Sequence, residues 1–361
     1  MEVLHYRFND SFRHLLLTNY RANSSNNSSS TRAGGKIIID VVASFTIFSI
    51  IATLILNALV IAVYIKRPTL RTPFSIYIVN LAVSEIVLAG TSMPGNLIRE
   101  MHGAWPFNAI SCTLLLYISQ TLTSGIRYGH VLITANRLWA VTFPIGYKQR
   151  HTKRFARCLV VTMWMVVHAL NLPVIINGRL QWSRSLFDPD SRCVFDNRAQ
   201  FNSVLAVQLL AFTLPELFII VAYGYVAVTL KKRWRPNLLS NKVAIGQSTV
   251  HCVSSQVDDA AASERRVQFR QSGPQTSTEK PGGNSWQSRS YNRLLAYLTI
   301  AVMVCWTPNH VYYLMMHLTG FSHQLFFAVQ YFMLYANSWL NPVLIYMADT
   351  QIRVAVNGLF C

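Results

Sequence analysis

Charge is scarce in this chain, and acidic charge scarcest. Of 361 residues, 13% are charged, and only 14 are Asp or Glu against 32 Lys or Arg. With 52% hydrophobic residues, so few charges argue against an ordinary soluble domain and for an integral membrane protein. An internal repeat is also missing, which counts against a transporter built from duplicated halves. Residues 1–36 are polar, and the first apolar run is too long for a signal-peptide core, so no cleavable leader is expected. No motif calls for a catalytic residue, a bound metal or a cofactor.

What the chain has is apolar length. Hydropathy places seven spans at 37–65, 74–98, 110–141, 158–176, 204–230, 294–318 and 325–347. A helix rises about 1.5 Å per residue, so roughly 20 residues cross the hydrocarbon core. The expected fold is all-α: a seven-transmembrane helix bundle over 37–347, closed by a short C-terminal helix lying along the membrane within 348–361. The tail 1–36 and the insertion 234–288, rich in Ser, Gln, Gly and charge, read as unstructured.

The net charge of +18 invites a nucleic-acid reading, but its placement opposes one. Lys66, Arg67 and Arg71 follow span 1, and Lys148, Arg150, Lys153, Arg154 and Arg157 follow span 3. Eleven more Lys and Arg lie between spans 5 and 6. Short loops rich in Lys and Arg stay cytoplasmic, which puts the N-terminus outside. Sequons at Asn9, Asn23, Asn26 and Asn27 all precede span 1 and agree with glycosylation of an outer tail; an Asn/Ser-rich tail without sugar is the plainer alternative. Cys112 and Cys193 fall on the oxidising outer side and are able to pair. Cys158 and Cys305 sit in spans as packing residues, and Cys361 is either palmitoylated or a free terminal thiol.

Motifs recur in order, one per span. Asn57 lies in span 1, and Asn80-Leu81-Ala82-Val83-Ser84-Glu85 in span 2. Cys112 opens span 3, and Asn136-Arg137-Leu138 ends it, with Arg137 25 residues after the Cys. Trp164 marks span 4, Pro215 and Tyr223 span 5. Cys305-Trp306-Thr307-Pro308 marks span 6, and Asn341-Pro342-Val343-Leu344-Ile345-Tyr346 span 7. Over roughly 37–350 the chain resembles a rhodopsin-like G-protein-coupled receptor.

The resemblance implies an extracellular ligand, a heterotrimeric G protein and the plasma membrane. It implies a disulfide between Cys112 and Cys193. It gives Arg137, Tyr223 and Tyr346 to G-protein coupling, and Trp306, Pro308, Asn341 and Pro342 to the pivots of activation. Asn136 replaces the restraining acid beside Arg137, and Ser288 and Arg289 supply none at the inner start of span 6, so the inactive lock looks weakened and basal signalling elevated. Asn57, Glu85, Asn337 and Asn341 form either an interhelical polar network or, as in the family, part of a hydrated pocket. Ile126 stands where a Ser usually completes a sodium site.

Amine receptors of the family carry an Asp seven residues after the Cys; here it is Ser119. Visual pigments carry a Schiff-base Lys where Tyr335 stands. The pocket candidates by position are Ser119, Gln120, Thr123, Asn309, His310, Tyr313, Tyr331 and Tyr335, which suit a small neutral ligand or a peptide side chain. Arg99, Arg179, Arg184, Arg192 and Arg198 rim the outer face. Arg127 and Glu216 are opposite charges at membrane depth, and an ion pair between them is expected, with Glu85 as the alternative partner and His130 joining either. A transporter or channel, and a pseudo-receptor that scaffolds partners, remain as competing functions.

Overall fold

A computed structural model describes residues 29–102, 105–182, 193, 201–248, 283–319 and 323–360. The described residues are helical apart from short connections. In chain order the helices are α1 (Ser29–Lys66), α2 (Ser75–His102), α3 (Ala109–Thr142), α4 (Pro144–Arg150), α5 (Lys153–Trp182), α6 (Phe201–Val207), α7 (Leu214–Ser248), α8 (Gly283–Thr319), α9 (Gln324–Ala348) and α10 (Thr350–Phe360). A π-helical segment, Gln208–Thr213, joins α6 to α7, so the fifth span is one rod with a widened turn.

Six of these helices are long and apolar enough to cross a membrane. The seventh, α9, has 25 residues, and Gln330, Asn337, Ser338 and Asn341 lower its hydropathy. The spans therefore fall within a few residues of their expected places. The differences lie at the ends. α1 begins at Ser29, α7 runs on to Ser248 and α8 starts at Gly283, so helical backbone occupies both ends of the insertion expected to be unstructured. Once a membrane span has nucleated a helix, each further turn adds bonds at little cost. Residues 1–28 and 249–282 lie outside the described residues, and with them Asn9, Asn23, Asn26, Asn27 and Cys252.

Local chemistry fixes several ends. Pro68 follows α1 after one residue, Arg67, and the guanidinium of Arg71 donates to the orphan carbonyls of Tyr64 and Ile65, at 2.7 and 2.5 Å. The Asn108 side chain accepts the backbone N–H of Ser111 at 2.9 Å and caps α3.

The bundle packs α1 on α2, α2 on α3, α3 on α5 and on α7, α8 on α9, and α9 back on α1. Its core joins Tyr77, Ile78 and Leu81 of α2, Ile126 and Ile133 of α3, Leu298 and Trp306 of α8, and Tyr331 and Tyr335 of α9. Ile55, Met165, Val221 and Ile300 point outward, where lipid tails solvate them. Cys305 is buried as expected, but Cys158 is exposed on α5, so only one of the two is a protein-packing residue. α10 buries Ile352, Ala355 and Val356 against α1 and α9, leaving its other face outward, as an interfacial helix does.

Candidate functional site

Two polar regions stand out along the bundle axis, a cavity toward the disulfide-bonded end, here called outer, and a locked cluster at the opposite, inner end. A polar core around Glu85 lies between them.

Cys112 and Cys193 form a disulfide that ties the outer end of α3 to the segment after α5. Trp105 packs on this bridge and donates its indole N–H to Ser111 Oγ at 3.0 Å. Below it opens a cavity of about 110 Å³ between α2, α3, α8 and α9. A single water needs about 10–15 Å³ of such space, so there is room for several waters or a small molecule.

Six of the eight expected pocket residues line the cavity: Ser119, Thr123, Asn309, Tyr313, Tyr331 and Tyr335. Gln120 and His310 do not. Gln120 sits one residue, about 100° of helix rotation, away from the Ser119–Thr123 line. His310 faces the π segment instead, with Nδ1 at 3.1 Å from Gln208 Nε2 and Nε2 at 3.2 Å from Thr213 Oγ1. The cavity also takes Asn96, Arg99, Phe327, Gln330 and Arg127, none of them in the expected ligand set. Asn96 donates to the Tyr335 hydroxyl at 3.1 Å, and Asn309 donates to Gln330 Oε1 at 2.6 Å. Gln330, 1% exposed within an apolar stretch, carried the signal that would have found it.

Arg127 and Glu216 interact through charge, but the expected close ion pair with a hydrogen bond between them is not made. The Glu216 carboxylate accepts the Thr307 hydroxyl at 2.5 Å through Oε1. Arg127 lies between two aromatic faces, its guanidinium carbon 4.5 Å from the Phe212 ring and 4.7 Å from the Trp306 ring. Its Nη2 points to Asn309 Oδ1 at 3.4 Å, while Nε and Nη1 make no hydrogen bond to the protein. Glu85 is not its partner either, since Glu85 Oε1 accepts from Asn341 Nδ2 at 3.1 Å. His130 packs edge-on against Trp306 at 5.0 Å rather than joining a charge pair.

In the polar core, Asn57 donates to the carbonyls of Thr53 and Ser338 at 2.9 and 3.1 Å. Glu85, Asn337 and Asn341 are all buried beside it. On the far side of α3, Trp164 donates to Asn80 Oδ1 at 2.9 Å.

At the inner end, Arg137 stacks on Phe74, 4.0 Å from the ring, and donates to Asn136 Oδ1 at 3.2 Å. The Tyr147 hydroxyl donates to the same oxygen at 3.1 Å. With Oδ1 occupied as an acceptor, Asn136 Nδ2 donates to His151 Nε2 at 2.8 Å, and Tyr77 O–H reaches that nitrogen at 3.2 Å. His151 must then be neutral at Nε2. Burial, followed by the nearby Arg137 charge, pushes its pKa down to about 4. Sequence reasoning missed His151 because α4 folds it back 15 residues onto Asn136. Tyr346 turns outward and donates to Asn357 Oδ1 of α10 at 3.1 Å, and Tyr223 packs beside Val226 and Leu295.

A profile of the family described as 7 transmembrane receptor (rhodopsin family) matches residues 56–346. The chain is 23% identical to a 5-hydroxytryptamine receptor 1B of Mus musculus over 330 residues, covering 86% of this chain and 84% of that one. It is 27% identical to an Alpha-2B adrenergic receptor of Orycteropus afer over 191 residues, 53% of this chain and 48% of that one. The same protein of Equus caballus aligns with the same identity and coverage. The chain belongs to the rhodopsin family of seven-transmembrane receptors. It is thus a multi-pass membrane protein and a receptor rather than an enzyme.

Proposed function

We propose that this receptor couples a ligand held in the outer cavity to a heterotrimeric G protein at the inner end of α3, in the plasma membrane with its N-terminal tail outside. The observation that carries the reading is the run of polar groups along one axis. The cavity reaches from Arg99 down to Glu85, Trp306 lies in its wall, and Asn341 continues from Glu85 toward the cytoplasm. A ligand that binds better when α8 swings about Pro308 shifts a two-state equilibrium. That movement frees Arg137, Tyr223 and Tyr346 for the G protein.

The ligand is a non-amine small molecule or a peptide side chain. The relatives' names speak of 5-hydroxytryptamine and adrenergic receptors, yet Ser119 offers a hydroxyl where an amine would need a carboxylate. The basic inner loops support the orientation, and the four sequons fit a glycosylated outer tail of residues 1–36. A ligand screen read by G-protein dissociation tests the proposal. An agonist should drive dissociation in the native protein, and Arg137→Ala should abolish it at unchanged surface expression. A second reading, a scaffold without exchange activity, is left open by the altered Asn136-Arg137-Leu138; no dissociation with or without ligand would support it.

A further inference from the structure

We infer that the cavity seats a ligand carboxylate on the edge of the Arg127 guanidinium. The inference rests on the cavity being the ligand site.

Arg127 is 1% exposed and lines the cavity. The Phe212 and Trp306 rings contact its guanidinium, and its N–H donors remain to be satisfied. Nε and Nη1 have no acceptor in the protein, and Nη2 has only the long 3.4 Å contact to Asn309. Glu216 accepts from Thr307 and Glu85 from Asn341, each through Oε1 with Oε2 left without a partner, and neither accepts a hydrogen bond from Arg127. Glu216 acts on Arg127 through its charge alone, so the buried N–H donors still lack an acceptor, and a ligand carboxylate supplies one. A planar guanidinium fixed by stacking is preorganised for a planar two-oxygen acceptor. Ser119 and Thr123 lie on the same cavity wall as uncharged hydroxyls for the rest of the ligand.

The test uses purified full-length receptor in detergent. The probes are small monocarboxylates, from acetate to 3-phenylpropanoate, each beside its matched primary amide, with 3-phenylpropylamine as the cationic control. Thermal protection is followed with concentration. At least one carboxylate should protect about 10- to 100-fold more potently than its amide, as expected for charge-assisted hydrogen bonds. Arg127→Gln should erase that preference. Asn309→Asp is the second variant, which keeps the test independent of whether the first one folds. It puts an acid beside the guanidinium in place of the ligand's, so it should raise the unliganded melting temperature and also erase the preference. If no carboxylate outperforms its amide, or if the preference survives in Asn309→Asp, the inference is overturned. The outcome is independent of signalling. Arg127-dependent carboxylate binding that never alters G-protein dissociation would sink the receptor reading alone. An agonist that acts with no carboxylate preference would sink this one alone.

Discussion

Arg137 is held by a neutral neighbour, and that changes how tightly it is held. Asn136 supplies one oxygen to Arg137 and Tyr147, and passes its own N–H on to His151. The guanidinium's bond to a neutral amide lacks the ion-pair attraction and the bidentate geometry that a carboxylate would add. Asn136→Asp should therefore lower basal G-protein dissociation without lowering surface expression, measured side by side in one cell line; unchanged basal exchange would count against the account. His151 adds a pH dependence. Its folded pKa of about 4 lies below the ordinary 6.5, so the unfolded chain binds its proton first. The contribution is intact above about pH 6.5 and is lost as pH falls from there toward 4. The melting temperature in detergent should drop across that window, and His151→Gln should flatten the drop.

Among the elements, α3 packs tightly on α5 at Gly125, where α3 has no side chain. A Cβ on Gly125 would lie 2.6 Å from Cη2 of Trp164, and Trp164 cannot retreat without giving up its bond to Asn80. Gly125→Ala should cost about 1–3 kcal/mol, the usual range for overpacking, read as a fall in melting temperature and in surface expression. Restoring space with Gly125→Ala plus Trp164→Phe should recover part of the loss. The spans themselves were legible because each is a run of apolar residues of membrane length. Helix ends were less so: the continuation of α7 to Ser248 follows from propagation, which hydropathy does not report. Side-chain partners were least legible. Arg127 and Glu216 looked like a pair from depth alone, but rotation about two helix axes gave one to Phe212 and Trp306 and the other to Thr307. His310 was misplaced for the same reason.

For the whole molecule, the Cys112–Cys193 bridge spans 81 residues and joins two elements that the membrane does not hold together. Replacing both with Ser should cost about 2–5 kcal/mol and reduce surface expression; free thiols at both positions in natively expressed protein, found by peptide mapping, would contradict it. The bundle and its disulfide follow from span order and the outer placement of two cysteines, whereas the cavity's cation had no sequence signature beyond an Arg at the wrong depth. The π-helical turn at Gln208–Thr213 has a consequence that reaches the length of the fifth span. The turn holds one residue more than a regular helix would, and its widened hydrogen bonding keeps everything below it in its present phase. Each residue advances a helix by about 100°, so tightening that turn to α geometry with no residue removed would rotate the whole of α7 by roughly that amount. Val226 would leave Leu295 for lipid. A local choice of helix type at one end thus decides which face the receptor shows at the other.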